Sequence, residues 1–148
     1  MQTERRLLFH GFLLFLLGLG SGLIAYGLEN PRMGVSSHLE GVVNGIFLVG
    51  LGLAWSRLVL RPRLRFVCFW SALVGSYANW AIPLFSAVVG ASQPLLVGEG
   101  HRAEDWQEAL LVASPIVGVL PPILCATIAV WGLRRSAARE SVDASRME

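Results

Sequence analysis

Apolar residues along this chain fall into four long blocks, and the charged residues are swept into the gaps between them. The first block runs from Leu7 to Leu28, with His10 its one ionisable group before Tyr26. The second runs from Leu39 to Leu60, with Glu40 and Arg57 near its ends, and the third from Leu64 to Val89, with Arg65 at its rim. The fourth, Ala109 to Leu133, carries no charge. A helix needs about 20 apolar residues to cross a hydrocarbon core about 30 Å thick, and each block is long enough. A soluble helix would show a polar face at the helical period; these blocks do not. The pattern predicts an all-α integral membrane protein, an antiparallel four-transmembrane-helix bundle with short connections. Residues 1–135 form the membrane domain and 136–148 a polar cytoplasmic tail. The first block has a signal-like start, Arg5 and Arg6 before a Leu/Phe run. It is long for a signal core and three spans follow it, so it is expected to stay as the first span.

Composition agrees. The chain has 148 residues, 54% of them hydrophobic, and a mean hydropathy of +0.59, more apolar sequence than a single soluble core of this size uses. Charge adds an orientation. Every basic residue is arginine. Arg5 and Arg6 precede the first span; Arg57, Arg61, Arg63 and Arg65 lie between the second and third; Arg134, Arg135, Arg139 and Arg146 follow the fourth. Only Arg32 and Arg102 fall on the other side. The positive-inside rule then predicts N-in/C-in topology, with the middle loop also cytoplasmic, in a cell inner membrane. Nucleic-acid binding is not indicated, because the arginines are juxtamembrane and the net charge is only +2. Cys68 and Cys125 lie inside spans without a Cys-x-x-Cys pattern; they read as small apolar residues, and no disulfide is expected.

The connections carry turn chemistry. Asn30-Pro31 signals a turn, and Ser36-Ser37 read as the N-cap of the second span. The longest connection, Gly90 to about Asp105, holds Gln93-Pro94 and leads into the acidic Glu104, Asp105 and Glu108. Pro115, Pro121 and Pro122 interrupt the fourth span and predict a kink.

Polar residues inside a bilayer are costly and mark functional candidates. Here they are His10, His38, Glu40, Asn44, Ser76, Tyr77 and Asn79. His10 is close enough to the first span's end to be explained by snorkelling. His38 is expected at the outer start of the second span, heading a stripe of glycines. At 100° per residue, Gly41, Gly45 and Gly52 fall at about 300°, 340° and 320° from it. Such a stripe admits either a second helix, since Gly41-x-x-x-Gly45 is a small-residue packing motif, or a planar cofactor with histidine as an axial ligand. Glu40 and Asn44 share another face; a carboxylate near a helix start and an interhelical amide are their structural explanations. Near the middle of the third span, Tyr77 and Trp80 share a face and Asn79 stands beside them, as donors and acceptors for chemistry or for packing. No phosphate-binding loop, metal cluster or Ser/His/Asp arrangement is found, so energy-driven transport and hydrolysis have no support.

Asn30-Pro31-Arg32-Met33-Gly34, Ser37-His38-Leu39-Glu40-Gly41, Asn44-Gly45, Tyr77-Ala78-Asn79-Trp80 and Trp131-Gly132-Leu133-Arg134 together resemble the hydroxylaminobenzene mutase family, along nearly the whole chain. His38, Asn44 and Gly45 are also similar to the pattern in styrene oxide isomerases, more distant relatives with the same four-span layout. The resemblance implies an isomerase acting on small aromatic substrates from the bilayer. The mutases rearrange hydroxylaminobenzene to 2-aminophenol; the isomerases open an aryl epoxide to an aldehyde. It further implies haem b as a Lewis acid, His38 as ligand of the haem iron, Gly41 and Gly45 beside the cofactor, Asn44, Tyr77 and Asn79 as catalytic groups, and a homo-oligomer, a trimer in the isomerases. Two positions depart: Pro83 stands where the isomerases have tyrosine, and Gly75 where they have aspartate. That favours a mutase over an epoxide isomerase. A non-catalytic haem-binding or scaffold protein is the alternative of another class.

Overall fold

The computed structural model describes residues 2–90 and 114–145. Helix α1 spans Gln2–Ile24 and continues into a 3-10 turn, Ala25–Gly27. Helix α2 spans Pro31–Ala54, also ending in a 3-10 turn, Trp55–Arg57. Helix α3 is Pro62–Val89, α4 is the short Ser114–Gly118, and α5 is Leu120–Ser145. Four stretches are long and apolar enough to cross a membrane: 2–27, 31–57, 62–89 and 116–135. The chain is therefore a multi-pass membrane protein with an all-helical fold. Large apolar side chains cover its outside, Leu23 at 88% and Leu53 at 68% exposure among them. In water such a surface would aggregate; in a bilayer it faces lipid.

Helix starts differ from the sequence expectation in one informative place. The second span begins at Pro31, not at 39, and Ser36 and Ser37 are not its cap. Asn30 is the cap: its side chain accepts from the backbone N–H of Met33 at 3.3 Å, and Pro31 occupies the first turn, where its missing N–H costs nothing. Ser37 is instead buried two turns in, and its hydroxyl donates to the carbonyl of Trp80 at 3.0 Å. The Asn30 N–H donates to Ala87 O at 3.0 Å and ties this turn to the end of α3. Helix α3 then stops at Gly90, whose φ of 73° is the left-handed conformation that ends helices. At the other end of the chain, α5 runs on to Ser145, so residues 136–145 extend the last helix. The expected loop from 91 to 105 and the start of the fourth span at 109 lie outside the described residues.

Where Gly18 crosses Gly41, helices α1 and α2 meet without side chains between their backbones. A Cβ on Gly18 would lie 2.6 Å from Val42 N, and one on Gly41 would lie 2.5 Å from Gly18 Cα. Gly11 sits against Val49, Gly45 against Phe15, and Gly52 against Leu7 and Leu8. Close contact of this kind replaces the hydrophobic effect as the association force in lipid. A second layer, with Leu48, Leu51, Trp55, Cys68, Phe69, Ala72, Leu73, Cys125 and Ile128, joins α2, α3 and α5. Gly75 of α3 receives the ring of Pro122, and the Cys68 and Cys125 thiols, both free and buried, lie 3.3 Å apart. The last span breaks at Val119, between α4 and α5, where Pro121 and Pro122 supply no N–H to the preceding turn.

Candidate active site

Two spans converge on Glu40, and a third packs against its partner Asn79. On α2, Asn44 lies one turn beyond it, and its amide Nδ2 donates both to the Glu40 carboxylate Oε2 at 3.0 Å and to the Glu40 carbonyl at 2.8 Å. From α3, Asn79 Nδ2 donates to the same Oε2 at 2.7 Å. From α4, Gly118 faces the oxygen of Asn79, which would come within 2.9 Å of a Cβ there. Glu40 and Asn79 are half-buried and Asn44 is buried. The carboxylate has thus captured the N–H groups of two amides, which leaves the amide oxygens as the free acceptors. Pro83 has no N–H to give the Asn79 carbonyl one turn back, so that backbone acceptor is released beside the cluster.

His38 lies on the opposite side of α2, about 200° from Glu40. It is two turns into the helix rather than at its start. Its ring lies over Gly22 of α1, where a Cβ would come 2.6 Å from Nδ1. Nδ1–H donates to the Gly18 carbonyl at 2.8 Å, an oxygen that also accepts from Ser21 Oγ at 2.9 Å. A carbonyl partner requires the proton on Nδ1, so Nε2 carries the lone pair, and no partner for it stands among the described residues.

The third polar group pairs α1 with α3. His10 Nδ1 and the Tyr77 hydroxyl are hydrogen-bonded at 3.0 Å, their rings edge to face. Snorkelling therefore does not account for His10; its partner is 67 positions away in sequence, and no local pattern signals it. Trp80, on the face of α3 turned to α2, lies against Gly41, and its indole N–H is buried without an acceptor among the described residues. The Ser76 hydroxyl is buried in the same condition.

Of the residues singled out from sequence, Asn44 and Asn79 are brought together, through Glu40. Tyr77 points to His10 instead, and His38 occupies a separate face. Gly41 and Gly45 are covered by α1, so the glycine stripe is a helix-packing surface in this chain rather than an open groove. The described residues hold no cluster of three metal-ligating side chains.

A family profile described as styrene oxide isomerase matches residues 3–134. The chain is 43% identical to hydroxylaminobenzene mutase HabB of Ectopseudomonas oleovorans over 95% of its own length and 87% of that protein. It is 38% identical to hydroxylaminobenzene mutase HabA of the same organism, over 86% of this chain and 94% of that one. No solved structure matches it.

Proposed function

Because the chain belongs to the styrene oxide isomerase family and is an isomerase, we propose that its reaction is intramolecular hydroxyl transfer on a hydroxylamino-aromatic, hydroxylaminobenzene to 2-aminophenol. In that reaction the N–O bond breaks and a C–O bond forms at the adjacent ring carbon. That carbon gives up a proton and the nitrogen gains one, so no external oxidant or reductant is needed. The observation that carries the reading is the Glu40 carboxylate gripping Asn44 and Asn79 from two spans. With an N–H of each amide committed to the carboxylate, the two amide oxygens are oriented acceptors for the N–H and O–H of a hydroxylamine. Glu40 Oε1 is the base for the ring proton, and the buried Trp80 indole N–H is a donor for the substrate oxygen. Tyr77, held by His10, is a further hydroxyl donor.

Epoxide opening of the styrene oxide type is less well served. The aspartate that the resemblance expects at position 75 has no room, since Gly75 is filled by the ring of Pro122.

The haem proposal passes one test. A histidine whose Nδ1–H is held by a backbone carbonyl presents Nε2 to a metal in the manner of metal-bound histidines, and His38 is held this way. His38 would hold the haem iron; Gly41 and Gly45 would not touch the cofactor, because α1 covers them. When bound, a ferric haem b supplies Lewis acidity toward a substrate oxygen. His38 faces away from Glu40, and Tyr77 is about 200° from Asn79 on α3. The reading therefore includes a homo-oligomer, a trimer in the simplest case, in which a neighbouring copy completes the site. It also includes an antiparallel bundle in a cytoplasmic membrane with both termini on the arginine-rich side, supported by the arginine distribution.

Membranes containing the protein are expected to convert hydroxylaminobenzene to 2-aminophenol, followed by liquid chromatography. Phenylacetaldehyde from styrene oxide with no aminophenol would replace this reading by epoxide isomerisation, and neither product would favour a non-catalytic protein. The purified, detergent-solubilised protein is expected to show a Soret band that His38→Ala abolishes; a band unchanged in His38→Ala would remove His38 as the ligand.

A further inference from the structure

The arginine-bearing end of the bundle holds a cavity remote from Glu40 and His38. It has a volume of about 520 Å³ and is lined by the guanidinium-bearing Arg61, Arg65 and Arg135, by Ser56, and by the segment 58–60; no carboxylate lines it. Its size is that of a small-molecule site.

The cavity is built, and does not depend on loose surface side chains alone. The Val59 N–H donates to Gly132 O at 3.3 Å, which pins the connection between α2 and α3 onto α5. Gly132 permits this approach: a Cβ there would lie 3.0 Å from Leu60 and 3.5 Å from Leu58. Arg65 Nη2 donates to Leu58 O at 2.8 Å, so one guanidinium braces the floor and keeps its remaining N–H groups. Arg135 lies over the Trp131 ring at 4.1 Å, an arrangement that leaves its in-plane N–H groups at the edge. Arg61 is the N-cap of α3, extended and without a side-chain cap, followed by Pro62. The first-turn N–H groups of α3 therefore have no capping oxygen there.

Three guanidiniums, an uncapped helix start and apolar walls at Leu58, Val59 and Leu60 suit a ligand with a phosphate anion and a greasy attachment. Arginine forks match phosphate oxygens bidentately. Phe66, 66% exposed, and Trp70, 49% exposed, continue along the lipid side of α3 from this point, where acyl chains would lie. We propose that this cavity binds a phosphate diester, the headgroup of an anionic phospholipid in the adjoining leaflet.

The full-length protein in detergent is examined by native mass spectrometry with phosphatidylglycerol, with phosphatidylcholine, and with inorganic phosphate. Phosphatidylglycerol is expected to be retained in preference to phosphatidylcholine, with inorganic phosphate unable to displace it. Removing Arg61 and Arg135 together, as Arg61→Gln/Arg135→Gln, is expected to weaken retention about 30-fold, from about 1 kcal/mol per arginine. Arg65 is left in place because it braces Leu58. Arg5→Gln/Arg6→Gln removes the same charge at the same end, since Leu7 packs on Gly52, and should leave retention nearly unchanged. Equal loss in both double variants, or equal retention of the two lipids, would reduce the site to diffuse attraction and overturn the proposal. Displacement by inorganic phosphate at the lipid's own concentration would overturn the lipid as occupant.

Discussion

Gly41→Leu is expected to abolish the folded protein recovered in detergent, and Gly41→Ala to lower its thermal midpoint clearly. The reason is that the atom in the way is backbone. A methyl at position 41 would come 2.5 Å from Gly18 Cα and 2.8 Å from Trp80 Cδ1. A flexible side chain could turn aside; the α1 backbone cannot yield without parting from α2. Overpacking of this kind costs about 1–3 kcal/mol for small additions, and a leucine adds three more carbons. Gly20 and Gly50 are the controls. A Cβ at either meets nothing within 4 Å, and a helical glycine replaced by alanine gains about 0.5–1 kcal/mol in propensity. Gly20→Ala and Gly50→Ala should therefore melt at or above the wild-type temperature by fluorescence-detected size-exclusion after heating. If Gly41→Ala and Gly20→Ala melted alike, the backbone contact between α1 and α2 would be wrong.

Glu40→Ala carries the largest expected loss of activity within the Glu40, Asn44 and Asn79 cluster. It takes the acceptor from both Asn44 and Asn79. Asn44 keeps the backbone oxygen of residue 40, whereas Asn79 loses the acceptor that fixes it. Hydrogen bonds to a charged group contribute about 1.5–3 kcal/mol each, so losing the one that orients Asn79 alone corresponds to roughly a 10- to 150-fold fall in the rate of aminophenol formation, and losing the base for the ring proton deepens it to at least about 100-fold. Glu40→Gln retains an acceptor oxygen for one amide but has no carboxylate to take the ring proton, so its rate should fall nearly as far as that of Glu40→Ala. The Soret band expected of the proposed haem should survive in both variants, because neither removes His38, the proposed iron ligand. Full activity in Glu40→Ala would remove the cluster from the reaction.

The spans were legible because hydrophobic length is a property of the sequence itself. The four blocks could be drawn without knowing what touched what. Boundaries were less legible where two capping signals competed. Asn30-Pro31 read as a turn and Ser36-Ser37 as the helix start, whereas the helix starts at the earlier pair, because Pro31 is preset for a first turn while Ser37 has a better partner in the Trp80 carbonyl. Glu40 and Asn44 were visible as an i, i+4 pair, since a single helix determines that contact. Asn79 joining them, and Tyr77 turning instead to His10, depend on how α3 rotates against its neighbours. That rotation is set by the Trp80 ring seated on Gly41 and by the Pro122 ring in the notch at Gly75. Neither is encoded by periodicity within α3. The glycine stripe was legible as a surface for something flat or close; only the register of α1 shows which.

The Asn44–Glu40 pair also bears on biogenesis. Both partners belong to one helix and lie one turn apart, so the second span can shield its own carboxylate as soon as it coils. Its insertion does not have to wait for the third span to leave the ribosome. Asn79 has no such internal acceptor in its side-chain contacts and finds one only on a helix already in place. The order of synthesis therefore matches the order in which the polar groups can be accommodated: acceptor first, second donor later. Interchanging Glu40 and Asn79 would keep a carboxylate–amide contact between the two spans but reverse that order, sending the carboxylate into the bilayer in the third span with no amide one turn away.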